Sequence, residues 1–351
     1  MLALSALPLG IQTTVLDPAS DACAAAAADQ IIAPFDDAAA LGQLGARSDV
    51  ITFEFENVPA SAVEALAAEH KVAPNARALA ASQDRFAEKQ LFRQLGIGTA
   101  EFRAVETAGD LETAFAELGP LIIKTRRLGY DGKGQARVQT AADFPDALAV
   151  IGEGDAIAEG LVPFDRELSQ VSVRAADGSV AHYPLAQNVH RDGILRTSVA
   201  PAPGVTDKLA QQARAYSESL MEHLGYVGVI AIELFDVNGD LVANEFAPRV
   251  HNSGHWTIDG AACSQFENHM RAVSGLPLGS TALITNCVMF NLIGEAPPLA
   301  SLAAMFGLRV HLYGKKARAG RKVGHVTLLN VDSDFEKNLV AVQALIDQAN
   351  P

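Results

Sequence analysis

The sequence predicts an α/β protein with an open parallel α/β domain at the N-terminus (1–80), a central mixed domain (81–280) and a small β-rich unit at the C-terminus (281–351). Strand and helix patterns alternate over the first eighty residues. Short apolar strands separated by turn signals follow residue 120, and a long β-branched run, TALITNCVMFNLIG, opens the tail. At 351 residues and 49% hydrophobic content the chain exceeds what one core serves, since single cores stop growing near roughly 250–300 residues.

The elements follow in order. The opening MLALSALPLG reads as a helix closed by Gly10, not as a secretory leader, because no Lys or Arg precedes the apolar part. IQTTVLDP is a strand, DVITFEF at 49–55 a buried strand and SAVEALAAEH at 61–70 a helix. DRFAEKQLFRQLG at 84–96 is a helix with Phe86, Leu91 and Leu95 inward and Gly96 as its stop. The pattern then turns to short strands, LIIK, AIAEGLV, LSQVSVR and VAHYPL, with a hairpin turn at Asp177-Gly178. Residues 207–224 form a helix that lines up Leu209, Ala213, Tyr216, Leu220 and Leu224 and stops at Gly225. Two β-branched runs around Asn238-Gly239 make a hairpin. Pro297-Pro298 then punctuates the C-terminal unit.

Charge and cysteine usage exclude several classes of function. A formal charge of −14 argues against a nucleic-acid partner, because neutralising phosphates needs clustered Lys and Arg. No run of about eighteen apolar residues offers a membrane span. Cys23, Cys263 and Cys287 are odd in number and far apart, which fits small buried side chains in a reducing cytoplasm.

The residues that carry chemistry cluster in three places. NEFAPRVHNSGH at 244–255 follows directly on the hairpin. A three-residue loop sets Glu233 opposite Glu245, two carboxylates about 5 Å apart at Cβ that need a cation between them; a two-residue loop pairs Glu233 with Asn244 instead. IIKTRRLGYDGKGQ places Lys124 at a strand end before a glycine loop, a fixed cation and N–H groups suited to phosphates, although the spacing is neither a P-loop nor a GxGxxG turn. AIAEGLVPFDRELS sets Glu159 at the end of a strand, whose edge can hold an adenine by backbone hydrogen bonds, and Glu167 eight residues on, where a carboxylate can accept from ribose hydroxyls as acids do at other nucleotide sites.

In that order, these three signals resemble the ATP-grasp superfamily. TFEFENVP, QDRFAEK, GYDGKGQ, NEFAPRVHNSGH, SQFENHMRA and YGKKARAGRKVGHV, spread over residues 52–326, are similar to the N5-carboxyaminoimidazole ribonucleotide synthase family within it. The resemblance implies ATP-grasp architecture, with a lid at about 98–162, and a homodimer. It implies that Arg85, Lys124, the loop Gly129, Tyr130, Asp131, Gly132, Lys133, Gly134 and Gln135, then Glu159, Gly160, Leu161, Val162, Glu167, His190 and Asn244 surround ATP. Glu233 and Glu245 would hold Mg2+. Arg249 would bind bicarbonate, with His251, Asn252 and His255 orienting it or exchanging protons. Lys315, Arg321 and Lys322 would hold the 5′-phosphate of aminoimidazole ribonucleotide, with Tyr130 and Asp131 closing over it. The implied reaction activates bicarbonate as carboxyphosphate and passes the carboxyl group to the exocyclic amine of that nucleotide, with release of ADP and phosphate.

One departure and several alternatives stand beside this reading. The family usually begins with a strand and a GGGQLG turn, and Met1 falls where that turn has ended. A sheet lacking that strand is expected to leave an apolar edge uncovered and to lower solubility. Biotin carboxylases and formate-using ribonucleotide transformylases share the superfamily, but HNSGH and YGKKARAGRKVGHV fit neither well. A nucleotide-binding pseudoenzyme is the alternative from another class.

Overall fold

The computed structural model describes residues 1–129, 133–152 and 154–350. Its strands are β1 (Thr14–Leu16), β2 (Asp29–Ile31), β3 (Phe102–Val105), β4 (Leu121–Thr125), β5 (Gln135–Val138), β6 (Ala156–Gly160), β7 (Arg166–Arg174), β8 (Val180–His182), β9 (Ala186–Arg191), β10 (Ile194–Ala200), β11 (Gly228–Val237), β12 (Asp240–Ala247), β13 (Cys287–Gly294), β14 (Leu308–Leu312) and β15 (Arg318–Leu329).

They build three sheets. β1 and β2 pair in parallel, and a parallel bridge joins Ile51 to Val72, so the N-terminal region is the expected open parallel α/β unit. β3, β6, β4 and β5 form a four-stranded antiparallel sheet. It carries its own core of Leu111, Leu121, Ile123, Val138 and Ala156 within the segment expected as a lid. The large sheet runs β12-β11-β7-β9-β10-β13-β15-β14, with β8 beside β7, and all of its pairings are antiparallel. The β-rich C-terminal unit therefore continues the central sheet through β13, and the tail ends on a helix, Phe335–Ala349, that covers it.

Alternation along β11 explains the layers. Ile230, Ile232 and Leu234 face the helix Asp207–Leu224, which is stopped by Gly225 in the left-handed region, as its sequence predicts, and capped by the Thr206 side chain. Val229 and Ala231 face the other way, into a core with Trp256 and Phe266. The next residue on that second face is Glu233, where the apolar surface gives way to the site.

Two expectations are corrected. DVITFEF is not a continuous strand: Ile51 exchanges hydrogen bonds with Lys71 and Ala73, and the ladder ends there. Beyond it, Thr52 bonds His269 of the central domain at 2.7 Å and Phe53 turns under Val63 and Leu79, which draws the chain out of the sheet. In the helix Arg85–Gln94 the fully buried apolar residue is Phe92, packed edge-on to Phe246, while Phe86 and Leu95 are half-buried. Phe92→Ala is expected to cost ~3–5 kcal/mol, because the site is enclosed and cannot collapse around the void. A loss below about 1 kcal/mol in a denaturant melt would contradict that packing.

Candidate active site

The hairpin resolves its own register. Asn238 and Gly239 form a two-residue turn with φ of +52° and +82°, both in the left-handed region that this turn type needs. Near the turn Val237 therefore opposes Asp240 and Leu234 opposes Ala243. A bulge then takes up Asn244, and Glu233 comes to lie opposite Glu245. The loop has the shorter of the two lengths considered from sequence, and the bulge restores the carboxylate pair that the longer one would have given.

Around this pair the large sheet collects further polar groups on one face. Ser169 of β7 opposes Glu233, so Glu167, two residues along, shares its face; Asn188 of β9 opposes Glu167 and places His190 there too. His190 Nδ1 lies 2.6 Å from a Glu167 carboxylate oxygen. The imidazole is desolvated, yet Glu167 and then Glu233 raise its pKa above the ordinary value.

The two glutamates differ sharply in charge state. Burial, and then the charge of Glu245, push the Glu233 carboxyl up to about 7. Burial acts on Glu245 as well, but the Arg85 guanidinium at 2.8 Å outweighs it and holds that carboxyl near about 2. A raised folded-state value means that the contribution of Glu233 to stability is full below the ordinary glutamate range and is lost as pH rises through about 7. Glu233→Gln is therefore expected to melt roughly 2–4 °C above the parent chain at pH 8 without ligand, and level with it near pH 4. Equal melting at pH 8 would show that the pair is not strained.

Three residues of one motif bring the pieces together. Gln83 Nε2 donates to the carbonyls of both Glu56 and Val58 at 2.7 Å and so fixes the turn of TFEFENVP. Asp84 caps the helix through the N–H groups of Phe86 and Ala87 and pairs with Arg126 and Arg127; these contacts outweigh its desolvation and lower its pKa. Arg85 reaches Glu245 and the carbonyl of Gly129. Of this motif only Arg85 was assigned from sequence.

From the four-stranded sheet, Lys124 of β4 reaches Glu159 of β6 at 3.0 Å. The second Glu159 oxygen lies 3.2 Å from Lys89, a residue only 1% exposed. The Glu159 side chain is thus buried between two lysines. They more than offset its desolvation and hold its pKa to about 2, but β6 is paired with β3 on one side and β4 on the other, so the backbone of Glu159 and Gly160 is not the strand edge the sequence suggests, and the chain leaves the sheet only after Gly160. Lys133 and Gly134 lie at the mouth of β5, whose first residue Gln135 pairs with Lys124. Tyr130, Asp131 and Gly132 lie outside the described residues.

The segment after β12 carries Arg249, the guanidinium expected from sequence to bind an anion. Arg249 places Nη2 2.6 Å from Glu56 and donates Nη1 to the Val250 carbonyl, while its buried Nε has no partner among the described residues. Its fork is therefore engaged by Glu56 and Val250, which sequence spacing does not reveal, and Nε is the donor without a partner among the described residues. His251 Nε2 approaches Glu233 at 3.4 Å, and its Nδ1 bonds Ser253. Gln265 brackets the His251 backbone with two hydrogen bonds and packs against Gly254, where a Cβ would meet its Oε1 at 2.6 Å. Burial, and then Arg249, lower the His251 pKa to about 3, so the ring is neutral. Asn252 buries an Oδ1 that has no hydrogen-bond partner among the described residues.

His255 turns away from the carboxylates towards Tyr313 at 3.3 Å and His325, and burial followed by His325 lowers its pKa well below the ordinary value. Lys322 stands near enough to bear electrostatically on His251, His255 and His325. Lys315 is exposed, its amine 5.5 Å from the Tyr313 ring, and Arg321 bonds the Lys316 carbonyl.

Two antiparallel sheets that converge on a lysine, an arginine and paired glutamates define the nucleotide-binding core of an ATP-grasp ligase. A family model for the ATP-grasp domain matches residues 90–266, flanked by matches to the ribonucleotide synthetase preATP-grasp domain at 1–83 and the phosphoribosylaminoimidazole carboxylase C-terminal domain at 287–335. The N5-carboxyaminoimidazole ribonucleotide synthase of Pseudomonas aeruginosa is 49% identical over 99% of this chain and 96% of its own, and that of Brucella melitensis 50% identical over 93% and 92%. The crystal structure of the Thermus thermophilus synthetase superposes with a TM-score of 0.94 at 47% identity, covering 98% of this chain and 95% of that one. The Aspergillus clavatus synthase, solved in complex with ADP and 5-aminoimidazole ribonucleotide, gives 0.92 at 32% identity, over 99% and 95%. The chain belongs to the N5-carboxyaminoimidazole ribonucleotide synthase family.

Proposed function

We infer that this chain carries out the ATP-dependent carboxylation of 5-aminoimidazole ribonucleotide to N5-carboxyaminoimidazole ribonucleotide, a step of purine biosynthesis, with bicarbonate as the carboxyl source. The observation that carries the chemistry is the bulged hairpin. It sets two carboxylates face to face and Arg249 four residues on, opposite a lysine from the second sheet.

ATP is placed between the two sheets. Lys124 and Arg85 neutralise phosphate charge, and Glu167 with His190 receives the ribose hydroxyls. Phe235 lies on the same face as Glu233 and stacks on Phe164 with ring centroids 4.5 Å apart, an apolar surface that fits a purine. Past the end of β6, the Leu161 carbonyl and the Val162 N–H offer backbone hydrogen bonds to the adenine.

Glu233 and Glu245 fit Mg2+. Their mutual repulsion in the bare protein is what a cation relieves, and two carboxylates plus phosphate oxygens and water match the preference of this ion. When bound, Mg2+ supplies charge neutralisation across the transferring phosphoryl group. Bicarbonate is held at Arg249, whose Nε is open and whose fork exchanges Glu56 for the incoming anion. Neutral His251, fixed by Gln265 and Ser253, lies beside that position and is suited to accept a proton. His255 is assigned to orienting rather than proton exchange, since its ring faces Tyr313. Lys322, with Lys315 and Arg321 on the same β-hairpin, provides cationic charge for the 5′-phosphate. Family resemblance also supports a cytoplasmic homodimer.

Phosphate release with purified protein tests the reading. ATP, Mg2+ and bicarbonate alone are expected to give little turnover, and 5-aminoimidazole ribonucleotide is expected to raise it many-fold. Indifference to that nucleotide would favour another ATP-grasp carboxylase or a pseudoenzyme.

A further inference from the structure

One face of the helix Arg85–Gln94 carries three charged residues, Arg85, Glu88 and Lys89, at the i, i+3 and i+4 spacing that brings side chains together. All three grip the same short piece of β12. Arg85 pairs with the Glu245 carboxylate, Glu88 Oε1 accepts the N–H of Phe246 at 2.6 Å, and Lys89 Nζ donates to the carbonyls of Asn244 at 2.7 Å and Ala243 at 3.4 Å. Those two carbonyls flank the bulge that returns Glu233 to Glu245. Lys89 has a second engagement, with Glu159 of the four-stranded sheet, whose other oxygen holds Lys124.

We propose that Lys89 is a positioning residue for the phosphoryl-transfer site: it holds the bulge of the carboxylate hairpin and, by sharing Glu159, keeps Lys124 free to serve ATP phosphates. The electrostatic logic is local. Glu159 is 5% exposed and cannot be left uncompensated. With two lysines it is satisfied and the trio keeps a net charge of +1, which Lys124 offers to the phosphates. Without Lys89, the whole Glu159 charge falls on Lys124 and holds it back. Glu88 and Glu245 also face Lys89 and Arg85 from the helix and the hairpin; burial, and then Glu245, raise the Glu88 pKa well above the ordinary value, so Glu88 adds little negative charge to the cluster, and burial lowers the pKa of Lys89.

This rests on the reading of Lys124 as a phosphate ligand, and the test separates the two. ATP affinity is measured by calorimetry, without the other substrates, for Lys124→Met, Lys89→Met, Glu159→Gln and the Lys89→Met/Glu159→Gln pair. Lys124→Met and Lys89→Met are each expected to weaken ATP binding by about tenfold or more. The pair is expected to recover most of what Lys89→Met loses, because deleting the uncompensated carboxylate frees Lys124 again. Lys89→Gln, which keeps a donor for the two carbonyls and removes only the charge, replaces Lys89→Met if that variant does not fold. Lys89→Arg is expected to restore binding. A purely structural lysine would give additive or worse losses in the pair, and that result overturns the proposal. If Lys124→Met binds ATP normally, the phosphate-ligand reading fails and the proposal falls with it; if only Lys89→Met binds normally, the proposal alone fails.

Discussion

Glu245→Gln is expected to lower turnover by ~100-fold or more while the fold persists, an effect of about 2.7 kcal/mol on the transition state. The substitution removes the carboxylate that Arg85 keeps ionised, and with it half of the anionic pair proposed to hold Mg2+ against the phosphates. The fold should survive, because the ladder from Ala231 to Val237 is held by main-chain bonds and the Glu245 side chain is 39% exposed. Glu233 also loses its repelling neighbour, so its pKa should fall towards the ordinary range, and that relief offsets part of the stability lost with the Arg85 ion pair. Steady-state kinetics beside a melting curve read both effects. A folded variant with parental turnover would contradict the assignment of the pair.

Arg249→Lys is expected to raise the apparent KM for bicarbonate by ~10-fold or more, with the KM for ATP changed by less than about threefold. Lysine keeps one charge but has neither the planar fork nor a donor equivalent to the open Nε. Its single ammonium would be claimed by Glu56, which already approaches Nη2 at 2.6 Å, so little is left for the substrate anion. Unchanged bicarbonate dependence would make Arg249 a structural tie between Glu56 and the central domain.

How much of this was legible in the sequence depended on whether the signal was local. The helix at 207–224 was readable to the residue, because its apolar period and glycine stop are local signals. The Asn238-Gly239 turn was readable for the same reason. The bulge at Asn244 was not, because it depends on Lys89 and Glu88, more than 150 residues earlier in the chain, gripping the backbone on either side. Lys89 and Glu88 lay inside a quoted motif with no role assigned; their burial follows from the packing of that helix between β12 and β6, which periodicity cannot show. The engagement of Arg249 by Glu56 is equally remote, and the quoted motifs held both residues without linking them. DVITFEF has the composition of a strand but leaves the sheet after Ile51, since Thr52 and Phe53 find their partners elsewhere. Fold class followed from local pattern and site residues from motif resemblance; the charge network that binds the motifs together needed the tertiary structure.

The central claim is that the paired glutamates, Lys124 and Arg249 bring bicarbonate to the γ-phosphate of ATP before the ribonucleotide is carboxylated. The most direct measurement follows 18O from labelled bicarbonate during turnover with 5-aminoimidazole ribonucleotide. Attack by bicarbonate oxygen on the γ-phosphate predicts that each phosphate released carries one 18O from bicarbonate, in step with formation of the carboxylated nucleotide. Phosphate that draws its new oxygen from water instead, under the same turnover, would contradict it.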